Sequence, residues 1–180
     1  GILGEAANSV GAYVANALPW DRKTAGSAKP AESNSVGLNA AQMLRLGSNN
    51  AEAACAALLL LNFEPELDCF DGLEARKVLD KTAFVVSLSS YRGNIADYAD
   101  VILPIAPFTE TSGTFLNTEG RSQSFRGVVT PLGETRPAWK VLRVLGNLLQ
   151  LEGFGFNSSE EILLEAITSK EQVHEELSNT

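Results

Sequence analysis

Three short runs of strongly apolar residues constrain this chain more than any other feature: Ala56–Phe63 (AALLLLNF), Ala83–Leu88 (AFVVSL) and Asp100–Pro104 (DVILP). Each is shorter than an ordinary buried helix and is bounded by polar residues or proline, the reading of strands covered on both faces. Between the first two runs Leu73, Val78 and Leu79 recur among charged residues, which predicts a helix beginning near Asp71. A helical turn is expected over Asn94–Ala99, before the third run. Strand–helix–strand connections of this kind lay strands side by side in parallel with right-handed crossovers. The expected class is therefore α/β, a parallel sheet with helices on both faces.

After Pro107 the pattern changes. Thr114–Val129 alternates like a hairpin, and Asn117-Thr118-Glu119-Gly120 between its arms has the composition of a turn, with Gly120 as the residue suited to positive φ. A helix follows, with Thr135 as its expected N-cap and Pro137 in its first turn, and Val141, Leu145, Leu148 and Leu149 form one apolar stripe. Ser158-Ser159-Glu160-Glu161 reads as a capping box opening a last helix through Ile162, Leu163, Ala166 and Ile167. At the other end, Glu5–Leu18 has near-helical spacing and stops at Pro19, Thr24–Gly37 offers little to bury and reads as a loop, and Asn39–Leu46 is a short helix closed by Gly47. The expected organisation is one α/β domain over residues 1–157 and an acidic helical tail over 158–180, where six Glu and one Lys supply −5 of the net −8.

That net charge argues against a phosphate-backbone partner, so no nucleic acid is expected. Cys55 and Cys69 lack the clustered spacing of a zinc or iron–sulfur site and read as ordinary reduced thiols. The longest strongly apolar run, Leu58–Phe63, is far too short to cross a bilayer, so no direct membrane insertion is expected. The opening GILGEAANSV has no basic region ahead of a long apolar stretch, unlike a signal peptide, and Met43 is the only methionine, which suggests part of a longer or processed polypeptide.

Residues able to carry chemistry are few. His174 stands in the acidic tail without Cys or Asp beside it and reads as a surface residue. Glu110 and Glu119 flank the hairpin and could serve as acid and base, although carboxylates in turns more often accept backbone N–H groups. In an open parallel sheet ligands bind beyond the carboxyl ends of the strands. There the second run leads into Ser87–Asn94 (SLSSYRGN), with Ser89, Ser90, Arg92 and a flexible Gly93, while the first ends in Asn62-Phe63-Glu64-Pro65. These loops could hold an anionic nucleotide or merely join strand to helix; neither is a glycine-rich phosphate fingerprint.

The order of residues carries more. Tyr98-Ala-Asp-Val-Ile-Leu-Pro104, followed by Glu110-Thr-Ser-Gly113-Thr-Phe-Leu-Asn117-Thr-Glu-Gly120-Arg121, resembles the molybdopterin oxidoreductase family, whose pattern is ADVVLP and then E-x-x-G-T-[FY]-x-N-x-E-G-R. ANSVGAYVANALP (7–19), LLLLNFEPELD (58–68) and GETRPAWKVLRVLGNLL (133–149) are similar to the C-terminal part of the large iron–sulfur subunit family of bacterial NADH:quinone oxidoreductase, respiratory complex I. The resemblance implies a Rossmann- or flavodoxin-like α/β domain with an attached β-hairpin. It also implies a domain that follows iron–sulfur modules in a longer polypeptide and packs against them and against other peripheral-arm subunits, on the cytoplasmic side of an inner-membrane complex.

Catalytic relatives in the family bind the guanine dinucleotide of a molybdenum cofactor with a Gly-x-Asn-Pro-like turn after the first strand; the corresponding turn here begins with Asn62. A side chain at that position crowds the approach of a pyrophosphate to the backbone. The resemblance therefore implies vestigial cofactor-binding positions at Asn62, Ser89, Ser90 and Arg92, no catalytic or metal-ligating residue, and a hairpin shaped by Glu110, Gly113, Asn117, Gly120 and Arg121. The expected function is a structural, partner-binding domain that carries no iron–sulfur ligands or molybdopterin of its own. Two alternatives stand beside it, a domain that still binds molybdopterin guanine dinucleotide in an active oxidoreductase, and a free-standing nucleotide-binding protein.

Overall fold

The computed structural model describes residues 7–15, 17, 39, 40, 42–44 and 55–178. The contacts divide the chain into two compact units, one formed by Gly37–Pro107 with Pro131–Ala138, the other by Gly1–Val36, Phe108–Thr130 and Trp139–Thr180. The loop expected over Thr24–Gly37 lies outside the described residues.

The first unit is built on the three apolar runs. They form β1 (Ala57–Leu61), β2 (Phe84–Ser89) and β3 (Val101–Pro104) of a parallel sheet in the order β1-β2-β3. Leu58 pairs with Val85, and Ser87 stands between Leu60 and Ile102. A short helix, Pro65–Asp68, and a longer one, Gly72–Lys81, connect β1 to β2, while a 3₁₀ helix, Gly93–Asp97, connects β2 to β3. The longer helix starts where the sequence predicts it, with the Asp71 carboxylate accepting from the Glu74 N–H at 3.0 Å. Gly72 lets it begin hard against the shorter one, since a Cβ there would sit 2.7 Å from the Pro65 carbonyl oxygen. Ahead of β1, residues 40 and 42–44 are helical, and Asn39 and Gln42 exchange side-chain-to-backbone bonds of 2.9 Å in a reciprocal cap.

The core of this unit gathers Leu79, Val85, Ile95 and Tyr98, with Leu58, Leu60, Ala99 and Ile102 packed on it. The strands, read as covered on both faces, are covered unevenly. On the face turned from that core Leu88 is fully buried, whereas Leu59, Leu61, Phe84 and Val101 are each exposed by more than a third.

The second unit holds α1 (Ser9–Val14), the antiparallel pair β4 (Gly113–Leu116) and β5 (Ser122–Phe125), and two helices, Ala138–Leu148, whose first residue belongs to the other unit, and Ser159–Ser178. With Pro65–Asp68 as α2 and Gly72–Lys81 as α3, these last two are α4 and α5. The capping box of α5 forms with one change: Ser158 Oγ accepts from the Glu161 N–H at 3.2 Å, and the Glu161 carboxylate reaches back to the Asn157 N–H at 2.7 Å. Ser112 Oγ and Ser159 Oγ, 2.8 Å apart, tie the start of α5 to the hairpin.

Two expectations for α4 need correction. Thr135 does not cap it; its hydroxyl donates to the Leu132 carbonyl at 2.7 Å, closing a turn that contains Gly133 at φ +57°. The helix begins at Ala138, directly after Pro137. The stripe Val141, Leu145, Leu148, Leu149 is half-buried only in its first two members, and the residue that goes fully under is Gly146. Phe154 explains this, because the chain turns back after Gln150 (φ +57°) and lays that ring on Gly146. Arg143 and Asn147 hold the returning strand of chain by donating to the Phe156 and Phe154 carbonyls at 2.8 and 3.1 Å.

Candidate functional site

The carboxyl edge of the parallel sheet brings together the positions singled out in sequence. Asn62 follows β1 and donates its N–H to the Leu88 carbonyl at 2.9 Å, so it stands beside the end of β2, where Ser89 and Ser90 lie. Its backbone takes φ +47°, the left-handed region where glycine is most at ease and where asparagine is the side-chain-bearing residue that adapts best. The turn geometry natural to glycine is thus kept by a residue with a side chain.

Ser89 is buried and already engaged, its Oγ accepting from the Tyr91 N–H at 3.1 Å. Ser87, within the second apolar run, lies inside β2 on the face of Val85, with a buried hydroxyl that has no partner, and therefore faces the core rather than a ligand. Arg92 is exposed and its carbonyl starts the 3₁₀ helix by accepting from Ile95.

Glu64 was not singled out in sequence, yet it faces the heart of this edge. Its carboxylate points at the β2 loop, 3.8 Å from where a Cβ on Gly93 would stand, and Gly93 itself sits at φ +38°. The Glu64 N–H is bonded to the Asp68 carboxylate at 2.7 Å. A pyrophosphate bound at such an edge needs several convergent N–H donors. Here the N–H groups of Asn62, Glu64 and Tyr91 are engaged within the protein and a carboxylate faces the loop, so these residues fit a pyrophosphate poorly.

Below the edge, Tyr98 is buried with its hydroxyl unpartnered, and the Arg76 guanidinium lies over its ring at 4.9 Å. Burial, followed by the nearby Glu66 and Glu64 carboxylates, pushes the phenol up to about 12, with Arg76 opposing. Arg76 is also paired with Glu66 at 3.5 Å and Asp80 at 2.9 Å. Asp100 has a structural task invisible in sequence: its carboxylate accepts from the Val85 N–H at 2.7 Å while its own N–H donates to the Val85 carbonyl at 2.9 Å, pinning the start of β3 to β2. In sequence Asp100 is only the first residue of the third run, and the strand pairing reveals what its carboxylate holds.

The hairpin residues lie in the other unit. Asn117 organises the tip, its Oδ1 accepting from the Glu119 and Arg121 N–H groups at 3.0 and 2.8 Å, while its carbonyl accepts from the Gly120 N–H at 3.0 Å. Gly120 takes φ +81° in open space. Arg121 contributes through its backbone, and among the described residues Glu119 and Arg121 form no ion pair. Gly113 is opposite Phe125, whose ring folds over it to stack on Phe115 with centroids 5.2 Å apart; a Cβ on Gly113 would come within 2.7 Å of that ring. Glu110 closes a 3₁₀ turn, Phe108–Glu110, against which Gly127 runs so closely that a Cβ would stand 2.9 Å from the Glu110 carbonyl carbon. Sequence reasoning passed over Gly127, whose role comes from a contact 17 residues away. Among the described residues no group of three or more His, Cys, Asp or Glu side chains could hold a metal ion, and no helix is long and apolar enough to cross a membrane.

Comparison with known proteins agrees with this architecture. The chain is 45% identical over 73 residues to the mitochondrial NADH-ubiquinone oxidoreductase 78 kDa subunit of Candida albicans, a stretch covering 41% of this chain and 10% of that protein. It is 40% identical over 78 residues, 43% of this chain and 8% of the other, to a Staphylococcus aureus (strain USA300) protein named as a putative formate dehydrogenase. The chain thus spans about a tenth of the length of these relatives. Among solved structures, acetylene hydratase from Pelobacter acetylenicus superposes with a TM-score of 0.57 over 68% of this chain and 17% of that one, at 21% identity, a likeness of fold. The molybdopterin oxidoreductase family pattern matches residues 1–148, most of the chain. With its parallel sheet, its strand-end turn and its glycine-shaped hairpin in place, this chain belongs to the molybdopterin oxidoreductase family.

Proposed function

We propose that this domain is a non-catalytic packing and partner-binding part of the large iron–sulfur subunit of an NADH:quinone oxidoreductase. The observation that carries the reading is the carboxyl edge of the sheet, where Glu64 faces Gly93 and the neighbouring N–H groups are engaged internally. The Candida albicans relative supports the respiratory setting. In that setting the domain packs against iron–sulfur modules of the same polypeptide and against other peripheral-arm subunits, on the cytoplasmic side of the membrane. It takes no part in electron transfer by its own groups and holds no molybdopterin.

A second reading, a domain that binds a molybdopterin guanine dinucleotide in an active oxidoreductase, is favoured by the Staphylococcus relative and by the left-handed turn kept at Asn62. Calorimetric titration of the chain with a guanine dinucleotide separates the two. The scaffold reading expects no saturable heat. Binding in the micromolar range that disappears in Arg92→Ala would overturn it and make Asn62, Ser89, Ser90 and Arg92 a working site, since losing a cation that holds a phosphate removes a charge-assisted bond.

A further inference from the structure

A cavity of about 430 Å³ opens inside the second unit, between α1, the hairpin and α5. That is nearly three times the roughly 150 Å³ of a dry void that takes up benzene, so one inserted side chain would leave most of it empty, and it lies in the size range of small-molecule sites. Small residues make the room: Gly11 and Ala15 in and just after α1, Gly113 on β4 and Ala166 on α5 all border it. The walls are tied to one another around the space. Asn8 Oδ1 accepts from the Leu116 N–H at 2.8 Å and holds α1 on β4, while the 2.8 Å contact of Ser112 with Ser159 holds α5 beside the start of that strand.

The chemistry of the lining narrows what it takes. Val14, Leu116, Trp139, Ile162, Leu163 and Ile167 face the space, and among the described residues that line it none is Asp, Glu, Lys or Arg. A charged ligand would give up its hydration there without gaining a partner. The polar groups at the hairpin end are hydroxyls whose protons are already committed. Ser159 donates to the Glu160 carboxylate at 3.1 Å, so the proton between Ser112 and Ser159 comes from Ser112, and Thr114 shares a bond of 2.9 Å with Ser124. Ser112 Oγ keeps acceptor capacity, which matches a ligand that donates.

We propose that the cavity between α1, the hairpin and α5 binds a small uncharged apolar molecule bearing a hydroxyl group, with its apolar body against α5 and its O–H donating to Ser112. The proposal goes beyond the scaffold reading. Asn62, Ser89, Ser90 and Arg92 lie in the other unit, so the dinucleotide titration and the test below succeed or fail separately.

The test titrates the full chain by calorimetry with four probes of one length: 1-octanol, 1-methoxyheptane, octanoate and octylammonium. The expected result is saturable binding of 1-octanol, about fivefold weaker binding of the ether, which cannot donate, and binding of the two ions weaker by about tenfold or more. Ser112→Ala should abolish the preference for the alcohol over the ether, a ratio that a merely loosened wall would not change. Nuclear Overhauser contacts from the octanol chain to the Trp139 indole, assigned with the other tryptophan replaced in Trp20→Phe, should place the probe in the cavity. Ala166→Phe fills the space and should remove saturable binding; where that variant does not fold, the contacts to Trp139 in the unaltered chain decide the location. No saturable binding of octanol, an ion bound as tightly as the alcohol, no contact to Trp139, an alcohol preference that survives Ser112→Ala, or undiminished binding by folded Ala166→Phe overturns the proposal.

Discussion

The two units hold themselves together by opposite means. The sheet unit relies on side chains that are present: Leu79, Val85 and Ile95 fill its core, Asp71 caps α3, and the Asp100 carboxylate fastens β3 to β2. The hairpin unit relies far more on side chains that are missing, a device the sheet unit uses at Gly72, where α3 starts against Pro65. Phe125 lies on Gly113, the backbone at Glu110 on Gly127 and Phe154 on Gly146, each at a distance that excludes a Cβ, and the tip is held by a single carboxamide, Asn117. In the sheet unit truncating a side chain should therefore do most harm, and in the hairpin unit adding one should.

The largest effect tests the first half of that contrast. Leu79 is 1% exposed at the centre of the core, and Leu79→Ala removes buried methyl groups and leaves a cavity, so it should cost about 2–5 kcal/mol in urea unfolding. A loss under about 1 kcal/mol would mean that the surroundings collapse into the space, and that this core is looser than its burial implies.

Gly146→Ala tests the other half, with two contributions of opposite sign. In a helix interior alanine is favoured over glycine by about 1 kcal/mol in backbone propensity. The added Cβ, however, would stand 2.3 Å from Phe154 ring carbons, and those are the near atoms of the ring rather than the far end of a flexible chain. Overpacking of that kind costs about 1–3 kcal/mol, so the net change should be destabilising by roughly 1–2 kcal/mol. Gly146→Ala combined with Phe154→Leu should recover part of the loss, because the smaller side chain makes room. A thermal midpoint that rises in the single variant would break the comparison, showing that helix propensity outweighs the packing of the ring.

The contrast also explains what sequence could tell. The three strands were legible because buried strands announce themselves as apolar runs, and Asp71 because a cap acts on N–H groups three residues away. Gly120 was legible for the same reason, since a hairpin tip demands positive φ locally. Asp100, Gly127 and Gly146 were not, because each is defined by a contact formed only when the chain has turned back on itself. Thr135 misled in the opposite direction: a hydroxyl ahead of a proline and an apolar stripe satisfies the cap pattern, but the helix begins only at Ala138, and Thr135 belongs to the turn before it, its N–H and hydroxyl both donating to the Leu132 carbonyl. At the candidate site the positions Asn62, Ser89, Ser90 and Arg92 could be named in advance because topology places strand ends together, whereas the orientation of Glu64 toward Gly93 belongs to tertiary packing.

The smallest expected effect is the most discriminating for the sheet unit, because it removes a side-chain atom that the core does not use. Tyr98 is 8% exposed and its hydroxyl has no hydrogen-bond partner, so Tyr98→Phe deletes a buried polar atom while keeping the ring that Leu79 and Ile95 pack on and Arg76 covers. A hydroxyl buried without a partner costs free energy, and its removal should leave stability at about pH 8 unchanged or raised by up to about 1 kcal/mol. The pH dependence carries a second signature. Burial holds the folded phenol at about 12 against an ordinary value near 10, so between those values the unfolded chain gives up its proton before the folded one does. Ionisation of the unfolded phenol then favours unfolding; the stability associated with the raised value is fully present below pH 10 and is lost as pH climbs toward 12. The urea midpoint of the unaltered chain should accordingly fall more steeply than that of Tyr98→Phe from about pH 10 upward, with the two curves parallel near pH 8. A variant that loses more than about 1 kcal/mol at pH 8 would show that the hydroxyl makes a stabilising bond, and would place this core alongside the Asp100 fastening as a region held by polar side chains as well as apolar ones.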